Sequence, residues 1–314
     1  MFVGLDHGTR AIRFASESSV FELRRDRANR LGSQEIIDEI EKNLEISTDD
    51  ITLMGVSYSM GDEITKIIPI SESKTRGVQA GDGAGIQIGG GTKVFDAIRA
   101  SSIPAVLIPG IHRGTVGDPR MNVFSHGASP EKVGVCYHIY LAGHKSFIVA
   151  DVSSNTVTVG VADGKIVGAI DACLFAPGAL QGPLDLEMIR KVERGEWSAN
   201  EAFSKGGVIY KMNEIKGVTP KVVLALFVSM EIAAMAVLLK DHGFEFEDLN
   251  IFLTGAIGAE TVFGEDVGRL LSCAPIMLDK WTAARGCRDI ARAVFEGVHE
   301  IMGIGVDLSD SLIK

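Results

Sequence analysis

The chain has 314 residues, 46% of them hydrophobic and 23% charged, with a formal net charge of −10. That length accommodates two domains with substantial cores, and the composition is neither disordered nor collagen-like. The acidic balance argues against a general nucleic-acid or anionic-membrane binder.

Three strand-like runs open the chain, at 2–5, 12–14 and 19–23. Between the first two lies Asp6-His7-Gly8-Thr9-Arg10: an apolar strand ends on aspartate, and a hydroxyl-bearing turn leads into the next. Such a hairpin aims backbone N–H groups and hydroxyls at an anion while its aspartate reaches toward a metal. The basic run 22–30 either binds an anionic partner or is a solvated strand end. An amphipathic helix is expected over Ser33–Leu44, with Ser33 as N-cap and Ile36, Ile37, Ile40 and Leu44 on one face. Residues 51–58 read as an inner strand. The glycine-dense stretch 77–91 has no G-x-x-x-x-G-K-[ST], and Ile88 stands where a dinucleotide fingerprint needs glycine. It reads as a loop or lid over a cleft, or else Gly89 to Thr92 seat an anion at a helix start. A buried strand closed by a proline turn follows at 102–110.

At Phe147 the pattern restarts. Strands are expected at 147–150, 157–162 and 165–170, and Asp151-Val152-Ser153-Ser154-Asn155-Thr156 repeats the acidic hairpin. Two such hairpins, at the starts of two similar halves, suggest a cleft that grips a nucleotide's phosphates from both sides. A long helix is expected at 220–240, apolar over 222–239 except for Ser229 and Glu231. A mid-span carboxylate would cost about 2.5–3.5 kcal/mol in a bilayer, so a buried helix in a cytosolic protein is the expectation. Next comes a buried strand that breaks on Thr254-Gly255-Ala256-Ile257-Gly258. Glycines there let an adenine or ribose approach the backbone, or merely start a helix. Helices are expected at 260–271 and 282–302, the last with a small-residue face of Ala283, Gly286, Ala291 and Val294. Cys136, Cys173, Cys273 and Cys287 form no C-x-x-C pair and fit buried thiols in a reducing compartment.

Acidic hairpin, second acidic hairpin, then strand-Thr-Gly-Ala-Ile-Gly: this order resembles the superfamily of acetate and sugar kinases, heat-shock chaperone ATPases and actin. The C-terminal half is most similar to the butyrate and acetate kinases, through Pro104-Ala105-Val106-Leu107-Ile108, Phe175-Ala176-Pro177, Ser204-Lys205-Gly206-Gly207-Val208 and Leu253-Thr254-Gly255-Ala256-Ile257-Gly258. The whole chain, with its opening Met1-Phe2-Val3-Gly4-Leu5-Asp6-His7-Gly8-Thr9-Arg10, also resembles the methanogenesis marker protein 12 family of methanogenic archaea. The resemblance implies an α/β, two-domain actin-like ATPase (ribonuclease H-like) fold, with duplicated mixed sheets flanked by helices around a nucleotide cleft. One domain would comprise residues 1–144 plus 284–314, the other 145–283. ATP and Mg²⁺ are the implied cofactors and a homodimer the implied assembly. Asp6 and Asp151 would hold the metal through water. Gly8, Thr9, Ser153, Ser154, Asn155 and Thr156 would surround the β- and γ-phosphates, and Gly255, Ala256 and Gly258 would lie along the adenosine.

Departures from those families bear on activity. Their phosphate-two turn is glycine-rich, whereas this one reads Ser153-Ser154-Asn155. Pro109 stands where the acyl kinases keep an aspartate, Ala179 lies near the site of an arginine, and the strand end 58–62 has no arginine. One missing transition-state donor costs about 10²-fold or more, so ordinary acetate or butyrate kinase activity is not expected. Arg113, after the Pro109-Gly110 turn, is expected to clamp an anionic substrate, the competing reading being a surface arginine. His138 matches the place of an acyl-kinase histidine and would touch the transferring phosphate, unless it is a core histidine. Asp118, Arg120 and His126 lie nearby in sequence with no direction fixed. Two functions therefore stand open. One is Mg-ATP-dependent phosphotransfer to a small anionic metabolite, with Asp151, Arg113 and His138 as catalytic groups. The other is a catalytically silent nucleotide-binding scaffold or regulator with a protein partner in a methanogenesis assembly. An iron–sulfur-reactivating ATPase is not expected, since paired cysteines are missing.

Overall fold

A computed structural model describes residues 1–58, 63–73, 89–115, 117–212 and 216–308. Strands β1 (Phe2–Asp6), β2 (Ala11–Ala15) and β3 (Val20–Arg24) form an antiparallel meander. Short helix α1 (Arg25–Ala28) and amphipathic α2 (Ser33–Leu44) follow. β4 (Leu53–Val56) joins β1 in parallel, β5 (Ile68–Pro69) forms an edge, and α3 (Gly90–Ala100) leads into β6 (Ala105–Leu107). The sheet order is β3-β2-β1-β4-β6-β5. Val3, Leu5, Met54 and Val56 pack beneath Ile36, Ile40, Leu44, Val94, Phe95 and Ile98, so α2 and α3 cover one face.

A small hairpin, β7 (Ile111–His112) and β8 (His126–Ala128), precedes α4 (Glu131–Leu141). The second sheet comprises β9 (Phe147–Val152), β10 (Thr156–Ala162), β11 (Lys165–Asp171), β12 (Asn250–Thr254) and β13 (Ile276–Met277). Its order, β11-β10-β9-β12-β13, repeats β3-β2-β1-β4-β6 of the first sheet, antiparallel meander and parallel neighbours included. Between its strands run α5 (Leu186–Glu193), α6 (Ala199–Ser204), α7 (Val208–Lys211), α8 (Pro220–Asp241), α9 (Gly255–Gly258) and α10 (Thr261–Leu271). After β13 come α11 (Thr282–Phe295) and a last hairpin, β14 (Glu300–Ile301) and β15 (Ile304–Gly305).

One buried cluster joins Leu53 and Val106 of the first sheet to Phe147 and Val149 of the second through Val133, Val135, Ala283 and Cys287. Helices α4 and α11 thus form the layer between the sheets. Glycine makes this layer thin. A Cβ on Gly4 or Gly55 would run into the α11 backbone at Ala284 or Cys287, and one on Gly286 would meet the Gly134 carbonyl of α4. The expected small-residue face of the closing helix therefore packs as a close helix crossing.

Several element bounds differ from expectation. Gly32, not Ser33, caps α2: its N–H donates to Glu35 Oε2 at 2.7 Å, and Ser33 is already helical. The inner strands are shorter than 51–58 and 102–110. The closing helix stops at Phe295 instead of 302, because Gly297 turns left-handed (φ +89) and Gly297 and Val298 donate back to Val294 and Ala293. Of the glycine stretch 77–91, all but Gly89, Gly90 and Gly91 lies outside the described residues; those three begin α3. Among the described residues, α8 is the one helix long and apolar enough to cross a membrane. It packs on the second sheet, with Leu224, Val228, Ile232, Met235 and Leu239 buried and Glu231 fully enclosed.

Candidate functional site

Both acidic strand ends open on one cleft of about 1000 Å³ between the sheets. Its floor holds Asp6, at the end of β1, and Asp151, near the end of β9, each followed by the turn into the next antiparallel strand. Each carboxylate carries its own cation. Arg13 Nη1 lies 3.1 Å from Asp6 Oδ2, and Lys132 Nζ lies 2.9 Å from Asp151 Oδ2 and 2.8 Å from Glu131 Oε1. Asp6 Oδ1 is buried with no partner among the described residues. Burial, then the Glu131 charge, raise the Asp6 pKa to about 6 against the pull of Arg13 and Lys132. Burial opposes the Lys132 charge too, yet Asp151 and Glu131 hold its pKa above the ordinary lysine value.

The first turn is propped from beneath. Arg25, at the start of α1, donates through Nε to Gly8 O (2.9 Å) and through Nη2 to His7 O (3.3 Å). His7 Nε2 meets Gly91 O at 3.1 Å, so that nitrogen carries the proton, and the His7 backbone N–H donates to Ser57 Oγ at 3.2 Å. Burial, with Arg25 close by, lowers the His7 pKa to about 3 and keeps the ring neutral. Arg25 therefore is not the solvated strand-end charge of one sequence reading: it is a strut under the turn between β1 and β2.

The second turn is clasped by the segment after β11. Ala179 N–H donates to Ser153 O, and Leu180 and Gln181 N–H donate to Ser154 O, at 2.9–3.0 Å. Asn155 Nδ2 donates to Asp171 Oδ2 (2.9 Å), and His126 Nε2 lies 3.7 Å from the same oxygen. Ser153, Ser154 and Asn155 line the cleft with Gly8, Thr9, Arg10 and His126. At the end of β12, Gly255 has φ +91, and a Cβ there would strike the Asp151 carboxylate and the Val152 carbonyl. Glycine is required at 255 by the chain's own packing, before any nucleoside is considered. Ala256 lines the cleft beside it.

Four expected site residues are turned elsewhere. Arg113 donates to the carbonyls of Asn122 (2.9 Å) and Val123 (3.2 Å) on the outer side of β7, away from the cleft. His138 is held by Asp289 of α11, Nδ1 to Oδ2 3.0 Å, and does not line the cleft. Thr156 is fully buried, its hydroxyl donating to Pro177 O at 3.0 Å. Gly258 lies behind Asp151, where a Cβ would touch the Val152 side chain. Asp118 and Arg120 pair with each other and with His242 and Asp241 at the end of α8, also outside the cleft. Conversely, Glu131 and Lys132 escaped the sequence reading, and Arg25 entered it only within the basic run 22–30. An acid–base pair opening a largely apolar run, 133–141, was the available signal.

A UPF0285 protein of Methanosarcina mazei is 45% identical over 325 residues, covering 98% of this chain and 99% of its own. The chain belongs to the UPF0285 family. Another UPF0285 protein, from Methanococcus maripaludis, is 41% identical across 97% of this chain and 99% of its own. No family model matches the sequence. Among solved structures, this UPF0285 chain is similar to a propionate kinase from Francisella tularensis (TM-score 0.54, 12% identity, 88% of each chain covered). It is likewise similar to the acetate kinase of Porphyromonas gingivalis (TM-score 0.53, 11% identity, 90% of each chain). Likeness at such low identity shows the fold: two actin-like, ribonuclease H-like halves of mixed sheet and helices.

Among the described residues, no three His, Cys, Asp or Glu side chains converge as a metal shell. Mg²⁺ does not need one, since it is commonly held by one or two carboxylates, substrate phosphates and water. The unpartnered, buried Asp6 Oδ1 in a net-negative floor fits such an ion.

Proposed function

We propose that this UPF0285 protein binds Mg-ATP in the cleft and transfers a phosphoryl group to a small anionic metabolite in the cytosol of methanogens, the setting of its relatives in Methanosarcina and Methanococcus. The observation that carries the reading is the shared cleft: two topologically equivalent strands deliver Asp6 and Asp151 to one floor, each beside a turn rich in N–H and hydroxyl donors.

Asp6, through Oδ1, and Asp151 would hold the cation, which when bound neutralises phosphate oxygens and favours in-line transfer. The N–H groups and hydroxyls of Gly8, Thr9, Ser153, Ser154 and Asn155 would bind the phosphates, and the backbone at Gly255 and Ala256 would flank the nucleoside. Arg25 and the 176–181 segment keep both turns rigid, which positional catalysis demands. With Arg113 turned outward, Arg10, His126 and Lys280 are among the cleft-wall groups that can meet an anionic acceptor. The arginines and aspartate expected of an acetate or butyrate kinase have no counterpart at Tyr58, Pro109 and Ala179, so a different acceptor is proposed.

Phosphate release or transfer is to be measured with Mg-ATP across a panel of short carboxylates, in the wild type and in Asp151→Asn. Turnover with one acceptor, reduced about 10²-fold or more by the substitution, is the expected result. Turnover indifferent to Asp151→Asn contradicts the proposal. A second reading, a nucleotide-binding scaffold without catalysis, draws on one observation: Lys132 already occupies the Asp151 oxygen that a metal would use. Binding without turnover supports it.

A further inference from the structure

The cleft floor gathers the carboxylates of Asp6, Glu131 and Asp151 against the cations Arg13 and Lys132. A polyphosphate entering this floor adds negative charge where negative charge is already in excess. Arg13 is committed to its own hairpin, bridging Asp6 and Glu22. Lys132 differs in origin and placement. It rises from the first turn of α4, between the two hairpins, and is only 11% exposed. It pairs directly with Asp151 and acts electrostatically on Asp6 as well. An ammonium has three N–H donors. Glu131 Oε1 and Asp151 Oδ2 take two of them, which leaves one for a ligand oxygen. Desolvation strengthens a charge-assisted contact made from that position.

We infer that Lys132 is a resident cation of the polyphosphate site, binding the nucleotide's phosphates from between the hairpins and supplying charge that would otherwise come from a metal. This deepens the nucleotide reading above and rests on it. Lys132 also competes with metal for Asp151, and that competition separates a ligand-binding lysine from a purely structural clamp. Removing a clamp loosens the floor and weakens every ligand. Removing a resident cation frees the Asp151 carboxylate for metal while depriving phosphates of a donor. The two affinities then move in opposite directions.

The test uses the full chain as wild type and as Lys132→Met. ATP binding is measured by calorimetry in EDTA, and Mn²⁺ binding to the nucleotide-free protein by electron paramagnetic resonance. Metal-free ATP affinity is expected to fall about tenfold or more, the size of one charge-assisted hydrogen bond, while Mn²⁺ affinity rises. Both affinities falling, or neither changing, overturns the inference and leaves nucleotide binding intact. A wild type that binds no nucleotide, with or without Mg²⁺, overturns the underlying reading and this inference with it. Should methionine prevent folding, Lys132→Gln keeps an N–H donor toward Asp151 without the charge, and the same opposed shifts are expected.

Discussion

Glu231 sits in the middle of α8 with no exposure, its Oε2 accepting the Ala176 N–H at 2.9 Å. The sequence marks it as an oddity in an apolar helix; the structure gives it a task. Ala176 begins the Ala176-Pro177-Gly178 segment, whose Pro177 carbonyl takes the Thr156 hydroxyl and whose continuation clasps Ser153 and Ser154. Burial is the main cause raising the Glu231 pKa to about 8. Because the folded value lies above the unfolded 4.5, the native state keeps its proton while the unfolded chain loses it. Stability should therefore decline as pH rises from about 4.5 to about 8, by a few kcal/mol at roughly 1.4 kcal/mol per unit, and level off beyond. Glu231→Gln removes that decline, so denaturant unfolding at pH 5, 7 and 9 should show a variant gaining on the wild type as pH increases. A constant difference across the three pH values contradicts the assignment. At Gly255 the strain is conformational. Gly255→Ala meets both a left-handed φ and the Asp151 carboxylate, and should lower stability by about 1–3 kcal/mol and weaken nucleotide binding together. Loss of stability with unchanged binding would separate the glycine from the site.

Among elements, the α4–α11 layer decides the geometry of the cleft, because α4 carries Glu131 and Lys132 to the floor while α11 lies against β1 and β4. Gly286 faces the Gly134 carbonyl directly, and backbone cannot step aside as a side chain can. Gly286→Ala is expected to cost about 1–3 kcal/mol, at the upper end of that range, measured by chemical denaturation. An unchanged midpoint would mean that the helices are not in backbone contact. The two hairpins were legible because turn chemistry and strand alternation are local properties. The misplaced residues are set by their local surroundings. Arg113 follows the two-residue strand β7 in a turn, where the carbonyls of Asn122 and Val123 take its guanidinium. His138 lies six positions beyond Lys132, about 9 Å along α4 and on another face, which brings it to Asp289 rather than the cleft. Neither the burial of Lys132 nor the strut made by Arg25 was legible, because both depend on which distant segments pack alongside.

At the scale of the molecule, the repeated strand order means that two half-sites exist only as a pair, each half contributing one carboxylate and one turn, while both counter-ions, Arg13 and Lys132, come from the first half. The division into residues 1–144 plus 284–314 and 145–283 assigns α4 to the first half and divides α11 between them. Under the proposed function, a bound nucleotide bridges the two halves across this helical layer. Ligand that bridges both turns should then raise the melting temperature of the whole chain in one transition, since it binds only the native pair. The most direct measurement is a calorimetric titration of Mg-ATP into the wild type and into Asp6→Asn. Saturable binding at a single site, weakened about tenfold or more by the substitution, is expected if both acidic turns grip one polyphosphate. No binding to the wild type, or equal binding to both proteins, would contradict it.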